Sequence, residues 1–165
     1  GGHSGTVWLQ DLYDNPRLDI ALRGGDRVLV EQDERFFTSL GATGAQVKVP
    51  FETRTVSAIE ALATVGGLNP ALGDPTGIFV FREEPAHVAN KVLGRSDLTQ
   101  PERFVYVLDL TEPNGMFLAR DFAIRDDDTV YVTEAPYTQF NKVLSALTGP
   151  ITTVNAIDNV ANIGN

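Results

Sequence analysis

The sequence predicts an α+β fold, a small mixed sheet crossed by one helix, with one such module complete and a second present in part. Three observations carry this reading. First, the chain states one strand pattern twice. Ile20-Ala21-Leu22-Arg23-Gly24-Gly25-Asp26-Arg27-Val28-Leu29-Val30 reads again as Phe122-Ala123-Ile124-Arg125-Asp126-Asp127-Asp128-Thr129-Val130-Tyr131-Val132, and upstream of each Val7 to Leu12 matches Val105 to Leu110. The offsets, 122 − 20 = 102 and 105 − 7 = 98, differ by four residues, so a connecting loop varies while its flanks keep their pattern. Second, one strongly signalled helix follows Thr55. Third, short aliphatic and aromatic runs are bounded throughout by Gly, Pro, Asn and Asp. The first copy starts in mid-module, so the chain reads as a fragment of something longer.

In chain order, Val7 to Leu12 and Asp26 to Val30 are expected strands, bounded by Asp14-Asn15-Pro16 and Gly24-Gly25. Phe36 to Leu40 and Gln46 to Phe51 form a hairpin around Gly41-Ala42-Thr43-Gly44, with Val47, Val49 and Phe51 on its buried face. The helix comes next. Ser57 and Glu60 have capping-box spacing, Val56, Ile59, Leu62 and Ala63 share an apolar face, and Gly66-Gly67 stops it before Asn69-Pro70. Ile78 to Arg82 is a strand. Glu83 to Pro101 is a polar excursion with a short helix around Val88 to Leu93, and Phe104 to Leu110 and Thr129 to Val132 return to strand character. This order describes a grasp-like module.

Composition narrows the function. With 42% apolar and 21% charged residues among 165, the chain can bury a core. A net charge of −9 argues against nucleic acid and other anionic partners, because phosphate binding needs clustered Lys and Arg. The absence of Cys removes disulfide and thiolate chemistry without fixing a compartment. Gly1 to Gly5 is not a basic region leading into an apolar run, so no signal peptide is expected within the chain.

Nothing in the sequence points to catalysis or to a cofactor. His3 and His87 stand far apart, without the spacing of a metal site. Asp126-Asp127-Asp128 lacks the central Gly and distant Glu of a calcium loop. Because Asp26 and Asp128 recur at one module position, both are read as turn residues whose carboxylates accept backbone N–H groups, with Gly66 and Gly67 as the other structural turn. Gly24-Gly25-Asp26 is followed by Arg27-Val28-Leu29 rather than by the acidic residues of a cyclic dinucleotide synthase. No serine sits in a Gly-x-Ser-x-Gly elbow. Trp8, Tyr106 and Tyr131 are read as core or cross-strand partners before sugar platforms.

The C-terminal segment differs in kind. Asn141, Ser145, Thr148, Thr152, Asn155, Asn159 and Asn162 fall at alternating steps of four and three, which draws one polar stripe along a helix. Val143, Leu144, Leu147, Ile151, Val154, Ile157 and Val160 fill most of the remaining surface, and no charge stands between Lys142 and Asp158. If helical throughout, Asn141 to Ile163 spans about 34 Å, enough for a bilayer core, with Tyr137 and Phe140 at an interface. In that case the polar stripe faces water and the apolar surface faces lipid. The other reading is a short amphipathic helix, Tyr137 to Leu147, ended by Gly149-Pro150.

The helix Thr55 to Leu62, the double glycine in Val65-Gly66-Gly67-Leu68, the arginine-ended strand Ile78 to Arg82 and the closing run Ile124 to Val132 together resemble a known domain. It is the soluble-ligand-binding β-grasp domain of bacterial outer-membrane polysaccharide export proteins. The resemblance covers most of the chain. It implies tandem β-grasp-like modules: residues 1–32 as the second half of one, 33–135 as a complete one, and 136–165 as a C-terminal amphipathic helix. The family's usual Pro-Gly in the hairpin is replaced by Gly44-Ala45-Gln46, and neither the preceding export domain nor a lipidated Cys is present. The resemblance further implies a non-catalytic part of a capsular or exopolysaccharide channel in the periplasm and outer membrane of a Gram-negative bacterium. Its expected partners are the polysaccharide, an inner-membrane polysaccharide co-polymerase and copies of itself in a ring, an octamer at full length. The alternative is a soluble glycan-binding or scaffold module of cell-surface assembly.

Overall fold

The computed structural model describes residues 4–134, together with the backbone of 152–155. The chain divides into two compact units, Gly1–Gln32 and Asp33–Asn165.

The first unit departs from expectation. Leu9–Asp14 form helix α1, followed by a single 3-10 turn at Pro16–Leu18, and Asp26 to Val30 are in no strand. Trp8, Leu9, Leu12 and Tyr13 also satisfy helical spacing, and Asn15-Pro16 ends the helix, with the Asn15 side chain accepting from the Arg17 N–H at 3.2 Å. Alternation makes a strand only where a second strand supplies the ladder, and among the described residues none pairs with 7–12 or 26–30.

The second unit is an α+β module. β1 (Phe36–Gly41) and β2 (Val47–Pro50) form the hairpin, with Phe36 opposite Pro50 and Ser39 opposite Val47. After β3 (Val56–Ser57) comes α2 (Ala58–Thr64). Its capping box is complete: Ser57 Oγ accepts from the Glu60 N–H, and Glu60 Oε2 accepts from the Ser57 N–H at 2.7 Å. At the far end the Gly66 N–H donates to the Ala63 carbonyl and the Gly67 N–H to the Leu62 carbonyl, a Schellman closure with φ of 85° and 76° at the two glycines. Ala58, Ala61 and Leu62 are the buried face; Ala63, expected there, is exposed.

β4 (Ile78–Glu84), α3 (Ala86–Leu93), β5 (Glu102–Leu108), α4 (Pro113–Asp121), β6 (Ala123–Ile124) and β7 (Thr129–Val132) complete the module. With β8 (Thr152–Asn155) at one edge, the sheet order is β2-β1-β7-β4-β5-β8, in which β1 and β7 are parallel and β4 is antiparallel to both neighbours. The closing strand thus lies beside the opening one at the centre, as a grasp-like module requires. β8 runs parallel to β5.

The main core joins α2 to one sheet face through Phe37, Ile78, Val80, Phe104, Tyr106, Leu108, Val130 and Val132. The opposite face buries Phe79, Val105 and Val107 against Phe81 and Tyr131. Burial on both faces explains why β4 opens with an unbroken apolar run, Ile78 to Phe81, and each such side chain contributes about 1.5–3 kcal/mol.

Candidate functional site

Even-numbered residues of β4 face the helix, so beyond Ile78 and Val80 the same face carries Arg82 and Glu84. The antiparallel register places Phe81 opposite Thr129, which brings Arg82 alongside Asp128 at the entry to β7. The result is a bidentate pair. Arg82 Nε donates to Asp128 Oδ1 at 2.8 Å and Nη2 to Oδ2 at 2.6 Å, while Nη2 also reaches the Ala123 carbonyl at 2.8 Å. Glu84 continues the network: its Oε1 accepts from Tyr106 Oη at 2.7 Å, and its Oε2 accepts from Arg125 Nη1 at 2.8 Å. The Arg82 guanidinium sits 5.0 Å from the Phe122 ring centroid and 5.4 Å from that of Tyr106.

Glu84 and Asp128 are each only 1% exposed, and the Arg82 side chain 6%, whereas that of Arg125 is 52% exposed. Two carboxylates and two guanidiniums balance. Burial alone pulls the Arg82 guanidinium down, but the hydrogen bonds and charge of Asp128, with the charge of Glu84, outweigh it and hold Arg82 above its ordinary value. Burial first, then the hydrogen bond and charge of Glu84, push the Tyr106 phenol well above its ordinary value. Among the described residues, no buried side-chain N or O atom lacks a partner. Every polar group is committed to holding β4, β5 and the β7 turn together, so the network is a lock rather than a reaction centre.

The turn it holds is the repeated one. The Arg125 N–H donates to Asp128 Oδ2 at 2.7 Å, and the Asp128 N–H donates back to the Arg125 carbonyl at 3.2 Å. In the first copy the Arg23 N–H donates to Asp26 Oδ2 at 2.6 Å, and the Asp26 N–H to the Arg23 carbonyl at 3.0 Å. The third residue has positive φ in both, 99° at Gly25 and 64° at Asp127. The three adjacent aspartates have separate duties: Asp126 Oδ1 accepts from the Phe36 N–H at 3.0 Å, Asp127 is exposed, and Asp128 receives Arg82. Among the described residues no three His, Cys, Asp or Glu side chains gather as a metal site. His87 is exposed, and His3 lies outside the described residues. Tyr106 is core, Tyr131 packs beneath the second face and Trp8 is partly exposed.

The expected polar stripe is only touched by the description. Asn141, Ser145, Thr148, Asn159 and Asn162 lie outside the described residues, as do Val143, Leu144, Leu147, Ile151, Ile157 and Val160. Thr152, Val154 and Asn155 belong to β8 rather than to a helix. Thr152-Thr153-Val154 are β-branched, and the edge of β5 offers them a ladder. No helix among the described residues is long and apolar enough to cross a membrane.

Local sequence spacing does not pair the residues of the lock. Arg82 and Asp128 are 46 residues apart, and Glu84 falls in what reads as a polar excursion. The available signal was an arginine and a glutamate, two apart, ending an otherwise apolar strand.

No protein-family model matches the chain. It is similar to the capsule polysaccharide export outer membrane protein CtrA of Neisseria meningitidis serogroup A, at 35% identity over 164 residues, covering 95% of this chain and 42% of that protein. It is 35% identical over 144 residues to the Vi polysaccharide export protein VexA/TviF of Salmonella typhi, covering 87% of this chain and 39% of the relative. Similarity to the EPS I polysaccharide export outer membrane protein EpsA of Ralstonia nicotianae is 30% over 131 residues, covering 78% and 30%. These relatives are named as export proteins, not enzymes, and the chain spans about two fifths of the length of the first two. Similarity at this level runs along nearly the whole of this chain, and the proteins it matches are named for polysaccharide export.

Proposed function

We propose that this chain is a non-catalytic part of an outer-membrane polysaccharide export channel, built as a periplasmic ring with a helical-barrel exit for capsular or exopolysaccharide. The observation that carries the reading is the 35% identity, over 95% of the chain, to a capsule polysaccharide export outer membrane protein. In this reading the module supplies rigid wall. The exit, in this reading, is lined by Asn141, Ser145, Thr148, Asn159 and Asn162, whose neutral polar groups let a hydrated glycan slide without tight binding, while Val143, Leu144, Leu147, Ile151, Ile157 and Val160 face lipid. Its partners are the glycan, an inner-membrane co-polymerase and further copies of the chain in a ring, of eight in the intact protein.

The test is removal of residues 148–165 from the intact protein. Polysaccharide is expected to accumulate inside the cell envelope instead of reaching the surface, and a chain ending at Leu147 is expected to stop partitioning into liposomes. Normal surface polysaccharide, or equal partitioning of the two forms, sinks the reading. A second reading, a soluble glycan-binding or scaffold module, is favoured by one observation: residues 152–155 pair with β5 as a strand. Equal partitioning is the outcome it expects.

A further inference from the structure

We propose that the second face of the sheet is the docking site of the chain's own residues 137–147, which cross it as an amphipathic helix joining β7 to β8 while the chain is away from lipid. The proposal goes beyond the export reading and rests on burial and topology. Phe79 of β4 and Val105 and Val107 of β5 are 0%, 1% and 7% exposed, and the partly buried Phe81 and Tyr131 complete their cluster. All five side chains rise from the sheet itself. A sheet face is dry only when a second layer lies on it, and the described helices do not supply that layer. Ala58, Ala89 and Ala119, buried residues of α2, α3 and α4, belong to the core of the first face, and α1 buries none of its residues.

Topology assigns the missing layer. The pairings make β2 parallel to β4 and β7 parallel to β8, with the two pairs pointing in opposite directions. Helix α2 joins β2 to β4 over the first face, moving along the sheet toward β5, and the connection from β7 to β8 moves the same way. Crossovers that advance alike between oppositely directed strands share a hand only when they lie on opposite faces. Because such connections are right-handed in about 98% of cases, residues 133–151 pass over the second face. Within them Tyr137, Phe140, Leu144 and Leu147 fall at steps of 3, 4 and 3, one apolar stripe on a helix. A helix over 137–147 reaches about 16 Å, and the strand spacings from β7 across β4 and β5 to β8 come to about 14 Å. The stripe therefore meets Phe79, Val105 and Val107. In the export reading this is the form the chain takes before Leu144 and Leu147 meet lipid.

Nuclear Overhauser contacts in the 165-residue chain, in vesicle-free buffer, test this. The Leu144 and Leu147 methyls are expected to contact the Phe79 ring and the Val105 and Val107 methyls. Absence of these contacts overturns the proposal, and so do contacts from the same methyls to first-face residues such as Leu62 or Ile124. Thiol labelling gives a second measurement, because the chain has no cysteine of its own. Val105→Cys is expected to label slowly, and Leu144→Asp with Leu147→Asp to speed it at least about tenfold while Val80→Cys, on the first face, stays slow. Thr138→Asp with Ser145→Asp, on the other side of the helix, should leave the rate at Val105→Cys unchanged. Equal labelling with and without Leu144→Asp and Leu147→Asp overturns the proposal, since something else then covers the face. So does labelling of Val105→Cys that quickens on dilution, which makes the cover a second copy.

Discussion

Replacing Arg82 by Met isolates what the lock contributes. The substitution keeps an unbranched chain beside the Tyr106 and Phe122 rings but removes both hydrogen bonds to Asp128, the bond to the Ala123 carbonyl and the 3.5 Å contact with Glu84. Asp128, 1% exposed, is then left with the Arg125 N–H and a buried carboxylate charge that nothing beside it neutralises. Breaking a buried pair from one side costs about 3–5 kcal/mol. Against a typical domain stability of about 5–15 kcal/mol, that brings the module close to unfolding. Arg125→Met is the contrast. Its side chain is half exposed, and Glu84 retains Tyr106 and the 3.5 Å contact with Arg82, so the expected loss is smaller, about 1–2 kcal/mol. Arg82→Met with Asp128→Leu removes both charges together and should recover part of the loss, less what the orphaned Arg125 N–H costs. Urea unfolding followed by circular dichroism measures all three, with unchanged m-values confirming that the same unit unfolds. Equal losses for Arg82→Met and Arg125→Met, or a loss below about 1 kcal/mol for Arg82→Met, would refute the reasoning that burial makes this pair expensive to break.

Tyr106 makes the module sensitive to alkali. Its folded pKa lies above the 10.0 of a free phenol, so its contribution is complete below pH 10 and is lost as pH rises beyond it; Tyr106→Phe should flatten that decline in a stability–pH series, and an unchanged slope counts against it. At the acid end, the Ser57 backbone and hydroxyl hold the Glu60 carboxyl below its ordinary 4.5. The capping contribution is then present above pH 4.5 and lost as pH falls through the lowered folded value, and Glu60→Gln should remove that acid dependence. Gly67→Ala meets no neighbour and should cost only the left-handed strain, about 1–2 kcal/mol, whereas a methyl at Gly41 overlaps the Val132 carbonyl oxygen between β1 and β7 and should cost more. Thermal unfolding of the two variants gives the order, and the reverse order counts against the packing described.

Local signals were the readable ones. Helix α2 is announced by Ser57 and Glu60 at one end and Gly66-Gly67 at the other, all acting within a turn of their own backbone. The Arg-x-x-Asp turn is legible for the same reason. Helix α4 is not, because the residues it buries are Gly115 and Ala119, too small to mark an apolar stripe, while Met116 and Phe117 point outward. The expected strands at 7–12 and 26–30 show the opposite failure: their alternation is real, yet a strand is a property of two segments, and a single segment's sequence cannot supply the second. Arg82 and Asp128 meet through the pairing of Phe81 with Thr129, which depends on every strand between them.

The self-capped turn before β7 also bears on how such a module tolerates change. Because Asp128 bonds the Arg125 N–H across only three residues, it sets which side chain enters the sheet first before any neighbouring strand is engaged. A slip by one residue would turn Val130 and Val132 away from the core and aim Asp128 at the wrong face. With the phase of the closing strand decided locally, the segment upstream of the turn is released from that duty. The four-residue difference between the two copies falls there, in the stretch that in the second copy holds α4. Insertions between Leu110 and Phe122 are thus the lengths this architecture can vary without losing register.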